Sequence, residues 1–133
     1  LLIRDPAQFD VIVTTNMYGD ILSDEASEIA GSLGMAASLN AGEHFAMAQA
    51  QHGSAPSLAG QDIANPSSLI GSAAMLLRWI AKRHDAPHFV LAAKAIESAI
   101  STAVANPRTR TRDLGGKLGT NAYTDKLLEI INK

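Results

Sequence analysis

Apolar residues recur at intervals of three and four along four stretches of the chain, and this period predicts four helices. The first helix begins at Met17 or Tyr18 and is ended by Gly31 and Gly34, since glycine commonly closes a helix. The other three are predicted at about residues 66–82, 87–105 and 120–132. The breaks between them carry Asp, Asn, Pro and Gly, the residues that favour turns.

Each of the first three predicted helices has an apolar stripe that we expect to face the interior. The stripes are Leu22, Ala26, Ile29, Ala30 and Leu33 on the first helix; Leu69, Ala73, Leu76, Leu77 and Ile80 on the second; and Phe89, Ala92, Ala93, Ile96, Ala99, Ala103 and Val104 on the third. Because the third stripe is mostly alanine, its neighbour must approach closely to fill the space.

Short β-branched or apolar runs predict a few strands beside the helices. The run from Phe9 to Thr14 is typical of a short buried strand, and Met35–Leu39 and Phe45–Ala48 are candidates for two more, joined by a turn at residues 40–42. A chain of 133 residues is long enough for one domain with a core. The pattern therefore predicts an α/β fold that is rich in helix and has few strands.

The stretch from His52 to Pro66 (HGSAPSLAGQDIANP) fits neither a strand nor a long helix. It ends in Asn65-Pro66, a helix cap followed by a helix-start proline. A glycine-bearing loop that leads into a helix presents backbone N–H groups to an anion, which favours a nucleotide loop with His52 nearby. A plain turn with a capped helix and a hydrogen-bonded histidine explains the composition about equally well.

Asp20 and Asp24 are four residues apart on the first predicted helix and therefore share a face. No Lys or Arg lies within one turn of them, so their carboxylates repel each other unless a cation is present. A hard divalent ion such as Mg²⁺ or Mn²⁺ takes oxygen ligands of this kind. On spacing alone, a solvated acidic helix start is the more common explanation.

Composition narrows the classes of function. The net charge of −2 and the absence of a basic cluster argue against nucleic-acid binding. Cysteine is absent, which excludes a disulfide framework and thiolate zinc sites and is compatible with the cytoplasm. No apolar run is long enough to predict a membrane span. The chain also lacks the glycine fingerprints of Rossmann and P-loop proteins, a zinc HExxH motif and a GxSxG nucleophile elbow.

Three ordered motifs resemble the isocitrate/3-isopropylmalate dehydrogenases, a family of β-decarboxylating dehydrogenases. The run NMYGDILSDEAS at residues 16–27, continued by GSLG at 31–34, resembles that family's signature helix. HGSAP at 52–56, with AG at 59–60 and ANP at 64–66, resembles its cofactor loop. RTRDLGG at 110–116 resembles the turn before its last helix. The resemblance covers nearly the whole chain and implies the family's own α/β fold.

The resemblance implies metal-dependent oxidative decarboxylation, in which a 2-hydroxy acid gives a hydride to NAD or NADP and then loses CO₂. By this resemblance Asp20 and Asp24 are ligands of Mg²⁺ or Mn²⁺. The cofactor-binding residues that it implies lie around the adenosine half of the dinucleotide: His52, Gly53, Ser54, Ala55, Pro56, Ser57 and Asn65.

Some positions depart from the family pattern. Gln49 replaces an acidic residue that usually stands three positions before the loop histidine, which bears on the nicotinamide side of the cofactor. Ser57 stands where NAD enzymes typically have Asp and NADP isocitrate dehydrogenases have Lys, so this position does not indicate which of the two cofactors binds. Asp62 lies in the same loop but not at the position that Ser57 occupies. Arg112 lies near the position where NADP enzymes bind the 2′-phosphate, which slightly favours NADP.

Family members are far longer, and their catalytic Tyr and Lys, substrate-binding arginines and a further metal Asp lie upstream of the region that this chain resembles. We therefore expect the chain to be a C-terminal portion that contains no catalytic residues and is inactive alone. Residues 1–34 would contain a strand and the metal-site helix, and residues 35–133 would contain the cofactor loop and the remaining helices. By resemblance, the metal-site helix belongs to a homodimer interface. The GDILSDEAS run favours an isopropylmalate-type substrate. The rival hypothesis is a non-catalytic or regulatory subunit that retains the dehydrogenase scaffold.

Overall fold

A computed structural model describes residues 1–133 and shows four helices and one β-hairpin. The helices are α1 (Asn16–Ala30), α2 (Ser67–His84), α3 (His88–Ala105) and α4 (Thr120–Ile131). The strands β1 (Ala37–Ala41) and β2 (Ala46–Ala50) pair antiparallel, with Ala37 opposite Ala50 and Ala41 opposite Ala46. The hairpin packs on α2, α2 packs on α3, and α3 packs on α4.

The predicted helices are confirmed, with ends that differ by one or two residues, and so is the helix-rich balance with few strands. The two later strands lie one or two residues beyond their predicted positions.

The predicted strand from Phe9 to Thr14 is wrong, because these residues pair with no other strand. Val11 and Val13 are 79% and 94% exposed. A β-branched run has the propensity for a strand, but a strand forms only where a neighbour accepts its backbone hydrogen bonds.

The core lies between α3 and α4. Ala99, Ala103 and Tyr123 are fully buried there, and Ile100 and Leu127 nearly so. The prediction that an alanine face on the third helix would allow close approach is therefore confirmed at its central positions, although Ala92 at the edge of that stripe is exposed. Alanine leaves room for Tyr123, whose ring fills the space between the helices.

The predicted inward face of α2 is wrong in part. Leu69 is 57% exposed and Ala73 is also exposed, whereas Ser67, Ser68 and Ser72 are buried. Ser68 and Ser72 lie inside because their hydroxyls form hydrogen bonds with backbone groups of neighbouring segments, and Ser67 because its hydroxyl is hydrogen-bonded to that of Tyr123. Apolar periodicity could not reveal such a face, since it scores serine as polar.

Two of the buried serines bind α2 to the hairpin. The Ser72 hydroxyl accepts a hydrogen bond from the backbone N–H of Ser38 at 2.9 Å and donates to the carbonyl of Gln49 at 2.7 Å. One turn earlier, the Ser68 hydroxyl donates to the carbonyl of Ala36 and accepts from the N–H of Gln51. The hairpin, which connects the turn after α1 to the loop that begins at His52, is thereby fixed on α2.

Helix α1 has no buried residue, so its predicted apolar stripe is not covered by this chain. Ile29 in that stripe is 42% exposed, and Ile21 and Met17 are more exposed still. The helix packs mainly against the short 3-10 turn at Leu33–Met35 that follows it. Its amphipathic pattern predicted the helix correctly, but a pattern cannot specify which surface covers it.

Contrary to the expectation from the sequence, helix α3 has the length and mean hydropathy (1.2 over 18 residues) of a segment that could cross a membrane. Core helices of globular domains meet the same criteria. Here α3 packs against both α2 and α4. At its middle, Glu97 accepts two hydrogen bonds from the guanidinium of Arg78 on α2. A charged pair at mid-helix fits a helix that packs against other helices better than one surrounded by lipid.

Candidate functional site

The loop from His52 to Pro66 is folded by three residues with left-handed backbone conformations. Ala55 has φ 40°, Gly60 has φ 75° and Asp62 has φ 54°, and a 3-10 turn at Pro56–Leu58 lies between the first two. Such values are unfavourable for a residue with a side chain, by roughly 1 kcal/mol or more each, and they concentrate at functional sites. The loop therefore adopts a conformation that its own sequence does not favour, and neighbouring elements must hold it.

The N-terminus of α4 holds the second half of the loop. The backbone N–H of Thr120 donates to the carbonyl of Asp62 at 3.2 Å, and the N–H of Asn121 donates to the Asp62 carboxylate at 2.8 Å. The Thr120 hydroxyl donates to the carbonyl of Ala64 at 2.5 Å. Asp62 thus has the left-handed backbone that bends the loop and also accepts hydrogen bonds from the first N–H groups of α4.

Two neighbouring cavities adjoin the loop. One has a volume of about 450 Å³ and is walled by Leu33, Gly34, His52, Gly53, Ala55, Leu58, Ile63, Ala64, Asn65 and Asp113. The other, of about 430 Å³, shares six of these residues and adds Ser54, Ala59, Gly60, Asp62, Thr120 and Asn121. Both volumes fall in the range of small-molecule sites. The first is the better candidate for a flat heterocycle, because more of its lining surface is apolar than in the second.

The structure gathers most, but not all, of the predicted cofactor residues around these cavities. His52, Gly53 and Ala55 line both. Asn65 lines the first and Ser54 the second. Pro56 and Ser57 line neither and lie exposed in the 3-10 turn. His52 Nδ1 lies 2.8 Å from the Gly53 carbonyl, so the Nδ1–H tautomer donates to it and leaves Nε2 free.

Asn65 caps α2, as its position before Pro66 predicted. Its Oδ1 accepts from the backbone N–H of Ser67 at 3.0 Å, and its Nδ2 donates to Asp113 Oδ2 at 2.9 Å. Asn65 is also only 9% exposed. Both ends of the side-chain amide are therefore used within the protein.

Asp113 is a residue of the site to which sequence analysis gave no role. Its Oδ2 accepts from the Ser32 hydroxyl at 2.6 Å as well as from Asn65, so it joins the end of α1 to the end of the loop. The approach is close: a Cβ added at Gly34 would lie 2.8 Å from Asn65 Cβ and 3.1 Å from Asp113 Oδ2. The signal was present in the RTRDLGG motif, but a motif does not say which residue accepts which hydrogen bond.

The environment of Asp113 lowers its pKa. Burial by itself would raise the pKa of this carboxyl, but the hydrogen bonds from Ser32 and Asn65 favour the ionised form and outweigh it. The buried Thr111 hydroxyl, which has no well-formed hydrogen bond of its own, contributes in the same direction. The ionised form of Asp113 is therefore the form that holds the three segments together.

This lowered pKa predicts a loss of stability in acid. Because the folded-state pKa lies below the ordinary value of 3.8, the contribution of Asp113 is complete above that value and disappears as pH falls through the folded-state pKa. We expect Asp113→Asn to unfold at lower urea than the parent at neutral pH, and this gap to narrow only once pH falls below about 4 and to close as pH falls through the folded-state pKa. Asp125→Asn on the exposed face of α4 is the matched control, and an equal change in both variants would contradict the assignment.

Asp20 and Asp24 lie on the exposed side of α1, one turn apart, as predicted. Neither forms an ion pair, and the chain's salt bridges are elsewhere. Asp24 Oδ1 accepts from Gln51 Nε2 at 3.0 Å, and Gln51 directly precedes the loop histidine. The structure thus brings the second acid to the start of the loop.

The donor set of Asp20 and Asp24 fits part of a site for a hard divalent cation. Two anionic oxygen ligands without a positive partner are what Mg²⁺ and Mn²⁺ prefer. No cluster of three or more His, Cys, Asp or Glu side chains occurs in the chain, so these two carboxylates form an incomplete coordination sphere. Further ligands must come from substrate, water or another polypeptide segment.

The remaining positions that departed from the family pattern lie away from the first cavity's walls. Gln49 is exposed on β2, and only its carbonyl is used, by Ser72. Arg112 is exposed in the 3-10 turn before α4 and lines neither cavity. Neither side chain makes a hydrogen bond, so each is free to meet a group outside this chain.

Comparison with known proteins agrees with this geometry. The family model described as isocitrate/isopropylmalate dehydrogenase matches residues 1–131. The chain is 44% identical over 130 residues to the 3-isopropylmalate dehydrogenase of Saccharolobus solfataricus, which covers 98% of this chain and 39% of that protein. It is 47% identical over 134 residues to isocitrate dehydrogenase [NADP] of Rickettsia bellii, with 99% and 27% covered.

Among solved structures, isocitrate dehydrogenase from Methylococcus capsulatus superposes with a TM-score of 0.87 at 37% identity, covering 99% of this chain and 38% of that one. The chain therefore spans less than two fifths of the length of these relatives, and that part contains both the exposed acidic helix and the loop. On sequence and fold together, the chain belongs to the isocitrate/isopropylmalate dehydrogenase family.

Proposed function

We propose that this chain supplies metal ligands and the cofactor loop for NAD(P)-linked oxidative decarboxylation of a 2-hydroxy acid of the 3-isopropylmalate or isocitrate type. The observation that carries the proposal is the contact between Asp24 and Gln51, which places a free carboxylate at the start of a ligand-sized loop. Relatives named for this chemistry share 44–47% of their residues with the chain. The substrate class and reaction come to the chain from those names.

The loop would bind the adenosine half of the dinucleotide in the cavity of about 450 Å³. Leu33 and Ile63 give apolar walls for the adenine, the free Nε2 of His52 offers a polar group, and Asn65 lines the same cavity. Ser57 carries no charge, so either a ribose hydroxyl or a phosphate can approach, and the cofactor is NAD or NADP.

Asp20 and Asp24 would hold Mg²⁺ or Mn²⁺, which when bound polarises the hydroxyl and carbonyl oxygens of the substrate. The residues of this chain would hold the two metal-binding carboxylates in place. The helix fixes the two carboxylates one turn apart, and the hydrogen bond from Gln51 holds Asp24 while leaving its second oxygen free. The relatives have more than three fifths of their length outside the matched part, and we expect the acid–base groups for the hydride and CO₂ steps there.

The groups that transfer protons are therefore expected outside this chain, and we expect the isolated chain to bind ligands without turnover. The exposed apolar side chains of α1 favour a homodimer in which a second copy covers this helix. We place the protein in the cytoplasm and assign it neither nucleic-acid nor membrane partners, in keeping with its net charge of −2.

A non-catalytic or regulatory subunit is the second candidate, and Gln49 favours it, because an amide replaces the acidic residue expected beside the nicotinamide. The two acids on α1 favour the catalytic role instead. Cation binding separates the two, since a subunit that keeps only the scaffold has no need of a metal site.

Calorimetric titration with Mn²⁺ tests the proposal. We expect binding that weakens by about tenfold or more in Asp20→Asn and in Asp24→Asn, because each variant removes one anionic ligand; tenfold corresponds to about 1.4 kcal/mol. Asp125→Asn removes an equal charge from the exposed face of α4 and should bind like the parent. Equal affinity in all four proteins would contradict the metal site and favour the regulatory subunit.

A further inference from the structure

Gln51 connects α1 to the start of the loop. Its Nε2 donates to Asp24 Oδ1 at 3.0 Å and lies 3.5 Å from the Ser27 hydroxyl. Its backbone N–H donates to the Ser68 hydroxyl on α2 at 3.2 Å. One residue is therefore fixed to α2 through its main chain and to α1 through its side chain, and the next residue is the loop histidine.

Few other interactions determine where α1 lies relative to the loop. The helix has no buried residue, and beyond the turn that follows it the packing is sparse. Its C-terminal end is tied to Asp113 through Ser32, but Asp24 lies two turns earlier. At the level of Asp24, the Gln51 side chain is the polar link that the structure provides between the helix and the loop.

The chemistry of this link suits a carboxylate that also binds a cation. A carboxylate has about four lone-pair sites, so an amide donor on Oδ1 leaves Oδ2 available. A neutral amide also does not neutralise the carboxylate, as Lys or Arg would. Partners that hold ligand side chains in this way orient them, and their loss commonly weakens metal affinity by about 10–100-fold.

We propose that Gln51 is a positioning residue that links the Asp24 carboxylate to the loop, so that divalent-cation binding at Asp24 and dinucleotide binding at the loop strengthen each other. The cation and dinucleotide parts rest on the proposed function, whereas the link itself rests on the hydrogen bond. Because coupling between two binding sites is reciprocal, each ligand must raise the affinity of the other by the same factor.

The link is tested first without ligands, by deuterium exchange of the 133-residue chain. We expect Gln51→Met, which keeps the length of the side chain but removes its donor, to raise exchange across residues 52–64 several-fold. Asp24→Ala should do the same, and the double variant should add nothing further. Ser27→Ala, which removes the more distant partner, and the remote Gln8→Met should match the parent. Unchanged loop exchange, or an equal rise along α3, would overturn the role of Gln51.

The coupling is tested by titrating NADP or NAD with and without saturating Mn²⁺. In the parent chain we expect Mn²⁺ to tighten dinucleotide binding by about fivefold, the lower end of typical coupling. In Gln51→Met this factor should fall to about one, while Ser27→Ala retains it. Equal coupling in the parent and Gln51→Met overturns the proposal, whereas a parent chain that binds no Mn²⁺ contradicts the proposed function instead.

Discussion

Replacing Tyr123 with alanine is expected to lower the free energy of unfolding by about 3–5 kcal/mol, the cost of removing a large aromatic side chain from a packed core. Tyr123 is fully buried between α3 and α4, and its hydroxyl lies 2.8 Å from that of Ser67 at the start of α2. The loss equals a large fraction of the total stability of a typical domain. Urea unfolding followed by circular dichroism measures it.

The chain contains its own control, because its other tyrosine, Tyr18, is 58% exposed on α1. Tyr18→Ala should change the free energy of unfolding by no more than about 0.5 kcal/mol. Tyr123→Phe separates packing from hydrogen bonding, since it keeps the ring but leaves the Ser67 hydroxyl without its partner. We expect this variant to lose about 1–3 kcal/mol of the free energy of unfolding. Similar losses for Tyr18→Ala and Tyr123→Ala would show that the core does not lie where we describe it.

Gly119→Ala is expected to separate the loop from α4 and to cost about 3 kcal/mol, the upper end of the usual cost of overpacking. A Cβ at this position would lie 2.3 Å from the carbonyl oxygen of Asp62. The backbone of Gly119 is ordinary, with φ −84°, so the effect comes from the clash alone. We expect both Asp62 hydrogen bonds to α4 to be lost, with faster deuterium exchange at residues 60–64 and weaker dinucleotide binding.

Gly53→Ala is the comparison for stability, because a Cβ at Gly53 would meet nothing within 4 Å. Its free energy of unfolding should stay within about 0.5 kcal/mol of the parent. If the two glycine variants unfold at the same urea concentration, the close approach of Asp62 to α4 is not part of the folded state.

Local features of the sequence predicted the elements well, and the reasons are local too. The four helices follow from apolar spacing and from the Gly, Asn and Pro residues at their ends. The cap at Asn65 and the close helix contact at Ala99 and Ala103 also follow from residue type, because a cap needs a short polar side chain and a close contact needs a small one.

The errors share a different cause. The stretch around Val11 has strand propensity but no partner strand, the α1 stripe has no covering surface, and α2 buries Ser68 and Ser72 rather than Leu69. In each case the missing information was which groups lie opposite, and that depends on segments far away in the chain or outside it.

Residue order alone was enough to predict the helices, the cap, the absence of thiol and basic sites, and the motifs that resemble the dehydrogenase family. That Asp113 joins Ser32 to Asn65, and that Gln51 brings Asp24 to the loop, became visible only in the folded chain. The physical reason is that helix formation and capping depend on neighbours within about four residues. A hydrogen bond across 27 or 81 residues exists only once packing has brought its two ends together.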